Sequence, residues 1–112
     1  MSDLAAKNCP PCDEATKPMS GSELDIYQRR LGSGWNVMNG HHLEKTFNFK
    51  NFQEALDFTN KVGEIAESAG HHPDIYLTWG EVKVTIFTHK VDGLTENDFV
   101  LAAKLEDQLK GQ

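Results

Sequence analysis

From Phe52 to Ala69 the apolar positions Phe52, Ala55, Leu56, Thr59, Val62, Ile65, Ala66 and Ala69 recur at steps of three and four, and the run stops at Gly70. That spacing is the period of an α-helix, and a glycine just past the last periodic residue can take the left-handed conformation that ends one. The stretch therefore predicts an amphipathic helix of about five turns, in spite of Gly63 within it. A helix with one apolar face must bury that face against something. What flanks it on both sides reads as β-structure.

On the N-terminal side, Gly34 to Met38 and His41 to Phe49 are separated by Asn39-Gly40, the strongest short hairpin signal. Leu43, Phe47 and Phe49 share one face of the second segment, although Lys45 falls on that face too. On the C-terminal side, Ile75 to Trp79 and Glu81 to His89 are joined at Gly80. Val82, Val84 and Ile86 lie on one face of the last strand, and Lys83, Thr85, Phe87 and His89 on the other, which aims His89 away from the aliphatic side. Two more helices bracket these strands. Ser22 is placed to cap a short one to about Leu31, with Leu24, Tyr27 and Leu31 on one face and Gly32 at its end. Thr95 is placed to cap a closing one to about Leu109, with Asp98 three residues on and Phe99, Ala102, Leu105 and Leu109 inward. The order helix, two strands, helix, two strands, helix predicts an α+β fold, an antiparallel sheet with the helices on one face. Trp35, Trp79, Phe47 and Phe49 are expected in the core or at a subunit contact.

A chain of 112 residues holds one domain and at most a tail. Residues 1–19 contain Pro10, Pro11 and Pro18 and little apolar periodicity, so they are expected to form a poorly ordered arm before a domain at 20–112. Within the arm, Cys9-Pro10-Pro11-Cys12 has a spacing that serves redox exchange or half of a zinc site. Neither the second ligand pair nor a βαβ context accompanies it, and two reduced thiols are the simpler reading. A formal charge of −6 argues against nucleic-acid binding, since a phosphate backbone would meet net repulsion. No apolar run approaches the roughly 20 residues that span a bilayer, and Met1-Ser2-Asp3-Leu4 does not open a secretory signal, so a cytoplasmic location is expected.

The chemistry-bearing residues cluster late in the chain. His71-His72-Pro73-Asp74 follows the long helix, His89 closes the last strand, and Asp98 opens the last helix. Imidazole exchanges protons near neutral pH, with an unperturbed pKa of about 6.5, so histidines held at a loop are candidates for general acid/base work. Each also has a plainer reading: a solvated loop for His71 and His72, a surface histidine for His89, and a capping-box acceptor for Asp98. Pro73 holds His72 in extended backbone, so the two neighbouring imidazoles are expected to project in different directions. His41-His42 directly follows the Asn-Gly turn and is expected to be exposed hairpin surface. Three histidines and a carboxylate would also suit a zinc or non-haem iron site, and spacing alone leaves that open.

In combination these motifs resemble the pterin-4a-carbinolamine dehydratases, also called dimerization cofactors of a hepatocyte transcription factor. The resemblance runs from about Ser20 to Leu109. It rests on Gly34-Trp35, on Phe47-Asn48-Phe49-Lys50-Asn51-Phe52 entering the long helix, on His71-His72-Pro73-Asp74, on Val84-Thr85-Ile86-Phe87-Thr88-His89, and on Gly93-Leu94-Thr95-Glu96-Asn97-Asp98. It implies a four-stranded antiparallel sheet with about three helices packed on one face, and a homodimer or homotetramer. The implied reaction is loss of water from 4a-hydroxytetrahydrobiopterin to give quinonoid dihydropterin, which recycles the cofactor of an aromatic amino-acid hydroxylase. No metal and no cofactor of its own are implied. The family's catalytic histidines map onto His71, His72 and His89, and substrate-binding positions onto Asp98, Pro73 and Asp74. Ile75 departs from the pattern, since animal members tend to carry an aromatic residue there. Two rival readings follow from the same residues: a protein-interaction module like a transcriptional coactivator, which animal relatives also serve as, and a metal-dependent enzyme.

Overall fold

The computed structural model describes residues 18–32 and 34–108. Cys9, Cys12, Leu109 and the arm up to residue 17 lie outside the described residues. The elements are α1 (Ser22–Leu31), β1 (Asn36–Met38), β2 (His42–Asn48), α2 (Phe52–Ala69), β3 (Asp74–Thr78), β4 (Glu81–Ile86) and α3 (Glu96–Gln108). The strands form one antiparallel sheet in the order β1-β2-β4-β3, which is the α+β architecture expected. No helix among the described residues is long and apolar enough to cross a membrane.

The helix α2 has the bounds its periodicity predicts because both ends are written locally. Asn51 accepts a hydrogen bond from the Glu54 backbone N–H at 2.8 Å, and Lys50 N–H reaches the Glu54 carboxylate. At the other end Gly70 sits at φ 70°, donating to Glu67 O, while His71 N–H donates to Ala66 O. These two bonds are a Schellman closure, and they fix the backbone of His71 to the end of the helix. The buried stripe is Ala55, Phe58, Val62 and Ala66; Phe52, expected inside, is 47% exposed because it is the first helical residue and stands clear of the sheet. Phe58 takes its place, with ring contacts to Phe47 and Phe49.

The core lies between the sheet and the helices. Val82, Val84 and Ile86 are fully buried, as their alternation predicts, and pair across to Phe47, Lys45 and Leu43 of β2. Lys45 tolerates the covered face because its Nζ pairs with Glu106 of α3 and lies 4.8 Å from the Phe47 ring centroid. The helix α3 is buried around more than one face, Phe99 to Ala103 and Leu105 all being inside. Burial of a side chain such as Phe99 contributes about 1.5–3 kcal/mol. Trp35 is buried, its indole N–H donating to Glu106, whereas Trp79 stands 71% exposed on the β3–β4 turn.

Three local expectations are corrected. Gly21, not Ser22, occupies the N-cap of α1: its φ of 59° is a glycine conformation, no side chain caps the helix, and Ser22 is the first helical residue. The strand β3 begins one residue earlier than read, at Asp74, and ends at Thr78. The strand β4 ends at Ile86 rather than His89, because the last β2 partner is Leu43. Beyond it the backbone of Thr88 turns onto Gly93, donating to Gly93 O at 2.9 Å and forming an isolated bridge. Pro18-Met19 crosses this turn, with Met19 N–H donating to Leu94 O.

Candidate active site

The antiparallel register brings one end of the sheet together: the starts of β2 and β3, the ends of β1 and β4, the C-terminus of α2 and the N-terminus of α3. Every residue singled out for acid/base chemistry is at this end. A groove of about 640 Å³ lined by Asn48, Phe49, Lys50, Glu54, Asp57 and Phe58 lies at the opposite end and contains none of them.

The centre of the cluster is Asp98, whose carboxylate is wholly buried. Its Oδ2 accepts from the Thr95 backbone N–H at 2.7 Å, the capping interaction expected at the start of α3. The same oxygen accepts from the Thr88 hydroxyl at 2.8 Å. With its proton committed there, Thr88 receives the hydrogen bond from the Thr95 hydroxyl at 2.9 Å. Oδ1 faces His71 Nε2 at 2.5 Å. An ionised carboxylate only accepts, so this pairing protonates His71 on Nε2 and leaves Nδ1 as the acceptor of the neutral ring. Capping and orientation of an imidazole are thus carried out by the two oxygens of one side chain. None of the buried side-chain polar atoms described is left without a partner.

His71 is mostly buried, at 14% side-chain exposure, while His72 is 62% exposed. The divergence expected from the extended backbone before Pro73 is therefore present. His72 Nε2 meets Glu67 Oε2 at 2.5 Å across the last turn of α2. His89 lies on the turn after β4, also 62% exposed, with Nε2 3.9 Å from Asp74 Oδ1, an ion-pair distance rather than a hydrogen bond. Its ring centroid is 4.2 Å from that of Phe87. Pro73 is half-buried between His72 and the first residue of β3, Asp74, whose register partner is Thr85.

The pair His41-His42 is not exposed surface as expected. Both rings are half-buried, with side-chain exposures of 34% and 22%, because the β2–β4 pairing carries Phe87 beneath the hairpin. His41 lies 4.7 Å from the Phe87 centroid and its Nε2 is 2.7 Å from Asp92 Oδ1. Among the described residues, no group of three or more His, Cys, Asp or Glu side chains is arranged to hold a metal ion.

Two polar residues of this end were missed from the sequence. Thr88 continues the inward series Val82, Val84, Ile86, and a polar residue at the next inward position was the available signal. Glu67 lies about one helical turn before the His-His pair, a spacing that puts it within reach of the helix end.

The family model for pterin 4 alpha carbinolamine dehydratase matches residues 17–108. A protein of Alkaliphilus metalliredigens provisionally named pterin-4-alpha-carbinolamine dehydratase is 55% identical over 108 residues, covering 96% of this chain and 97% of the relative. One of Rubrobacter xylanophilus with the same provisional name is 55% identical over 106 residues, covering 95% and 98%. A crystal structure from Brucella melitensis, described as a transcriptional coactivator/pterin dehydratase, superposes with a TM-score of 0.73 at 32% identity, covering 81% of this chain and 97% of that one. The chain belongs to the pterin 4 alpha carbinolamine dehydratase family and is, on that membership, a hydro-lyase.

Proposed function

We propose that this chain removes water from 4a-hydroxytetrahydrobiopterin to give quinonoid dihydropterin, by acid/base catalysis from His71, His72 and His89. The observation that carries the reading is the buried Asp98 carboxylate, held by Thr88 and Thr95 and meeting His71 Nε2 at 2.5 Å. Such a carboxylate sets the tautomer and the direction of an imidazole beside the reacting centre. The reaction breaks the bond from C4a to its hydroxyl. A general acid protonates the leaving oxygen, a base takes the proton from the neighbouring ring nitrogen, and the carbon–nitrogen double bond forms between them. One proton moves from nitrogen to the departing water, and no electrons are exchanged with a partner. His71, oriented by Asp98, is suited to one of these transfers. His72 and His89, both accessible, are suited to the other and to holding the pterin, with Pro73 and Asp74 lining the approach.

The substrate is made when an aromatic amino-acid hydroxylase consumes tetrahydropterin, so we propose that the chain serves such an enzyme, as a homodimer or homotetramer. The test is the rate at which the purified protein, in chelator-treated buffer, consumes freshly generated 4a-hydroxytetrahydrobiopterin. Strong acceleration that is lost in His71→Ala and His89→Ala supports the reading; a wild type no faster than buffer overturns it. A second reading, a protein-interaction module, draws on the coactivator role in the description of the Brucella melitensis structure. It predicts a stable protein partner and no dependence of that binding on His71.

A further inference from the structure

The proposed role of His89 poses a physical problem that the fold answers at a distance. His89 is largely exposed and its Nε2 lies 3.9 Å from Asp74, too far for a hydrogen bond to aim the ring. An exposed side chain without a directional partner samples several rotamers. The ring of His89 lies against Phe87, at 4.2 Å between centroids and tilted by 49°, and the Phe87 ring in turn lies 4.7 Å from that of His41. His41 also reaches past Phe87 to the turn on which His89 sits, where its Nε2 is 2.7 Å from Asp92 Oδ1. Asp92 holds a left-handed conformation at φ 51°, and its N–H donates to the carbonyl of His89. The hairpin histidine thus reaches His89 by two indirect routes, through the Phe87 ring and through the backbone of Asp92.

We propose that His41 is a positioning residue for His89, acting through the ring ladder His41–Phe87–His89 and through its hydrogen bond to Asp92. The inference rests on the catalytic reading of His89. His42 backs the arrangement: its Nδ1 is 3.1 Å from His41 Nδ1, and its Nε2 lies 3.7 Å from Glu44, which in turn lies 3.8 Å from Lys83 Nζ. With Nε2–H of His41 donated to Asp92, a neutral His41 accepts at Nδ1 from His42, so both nitrogens of the hairpin imidazole are engaged. His42 itself is farther from Phe87, at 6.5 Å, and is not part of the ladder.

The experiment uses the full chain. His41→Ala removes both links, and His41→Phe keeps the ring while deleting the hydrogen bond to Asp92. For His41→Ala the expected result is a fall in kcat of about fivefold with KM changed less than about twofold, since a displaced group weakens the reaction step more than binding. His41→Phe is expected to recover at least half of that loss. In parallel, the ring signals of His89, identified by their absence in His89→Ala, are followed by proton–carbon NMR. Contact with the Phe87 face shifts them in the wild type; in His41→Ala they should move toward the position of a freely rotating histidine. Unmoved His89 signals together with a kcat within twofold of wild type would overturn the proposal. A fully active His89→Ala would instead overturn the catalytic reading of His89, and the NMR result would still decide whether His41 holds the ring.

Discussion

Asp98→Asn replaces one carboxylate oxygen by an NH2 group at a site with no exposure, and the surrounding donors dictate which oxygen is replaced. Thr88 O–H and Thr95 N–H both donate to Oδ2, so the amide oxygen must stay there. The new NH2 is then forced toward His71 Nε2, where it donates and obliges that nitrogen to accept. The ring proton moves to Nδ1, and His71 is held in the opposite tautomer. Turnover is expected to fall by about 100-fold or more if Nδ1 carries out proton transfer. Stability should change less, because all three contacts persist as neutral hydrogen bonds. A charged hydrogen bond contributes about 1 kcal/mol more than a neutral one, so the loss is about 3 kcal/mol for the three, or roughly 12–15 °C in Tm for a domain of this size. Asp98→Ala provides the contrast. It strands three donors in a dry site at about 1–3 kcal/mol each and should cost about 3–9 kcal/mol. The assays are denaturant unfolding and the dehydration rate on preformed carbinolamine. The reasoning fails if Asp98→Asn turns over within about threefold of wild type, or if the alanine variant is as stable as the asparagine one.

Three further outcomes are expected. Because His72 and Glu67 are both exposed, His72→Ala should lower turnover by about 100-fold with a Tm shift of no more than about 2 °C, as judged by paired kinetic and melting measurements. A Cβ at Gly93 would sit 2.7 Å from the Pro18 ring, so Gly93→Ala should cost about 1–3 kcal/mol as the crossing segment is pushed off the turn; an unchanged melting curve would contradict that contact. Glu106→Ala leaves the buried Trp35 indole N–H and the Lys45 amine without their shared acceptor and should cost about 1–3 kcal/mol, while Glu106→Gln, which still accepts from the indole, should recover part of it in denaturant titrations.

What can be read from this chain without its structure is whatever a few neighbouring residues decide among themselves. The bounds of α2 follow from Asn51 and Gly70, the β1–β2 reversal from Asn39 and Gly40 at positive φ, and the covered face of β4 from a strict alternation of Val82, Val84 and Ile86. The capping bond from Thr95 N–H to Asp98 is equally local, three residues apart on one turn. The divergence of His71 and His72 follows from Pro73. Where local signals compete, they mislead: Ser22 has the better capping side chain, but Gly21 has the backbone freedom the entry to α1 requires.

The rest depends on register and on contacts between residues far apart in the chain, which no local pattern encodes. Lys45 breaks the alternation of β2 until Glu106, 61 positions later, arrives on α3 to pair with it. Whether β4 runs to His89 is decided by where β2 stops offering hydrogen bonds, not by the β-propensity of Phe87-Thr88-His89. His41 becomes half-buried only because strand pairing slides Phe87 beneath it. The sequence alone could name His71 and Asp98 as suited to proton chemistry. Only the packing of α3 against the end of α2 puts an imidazole onto a desolvated carboxylate, because that contact spans 27 positions and two elements whose approach is set by the shared core.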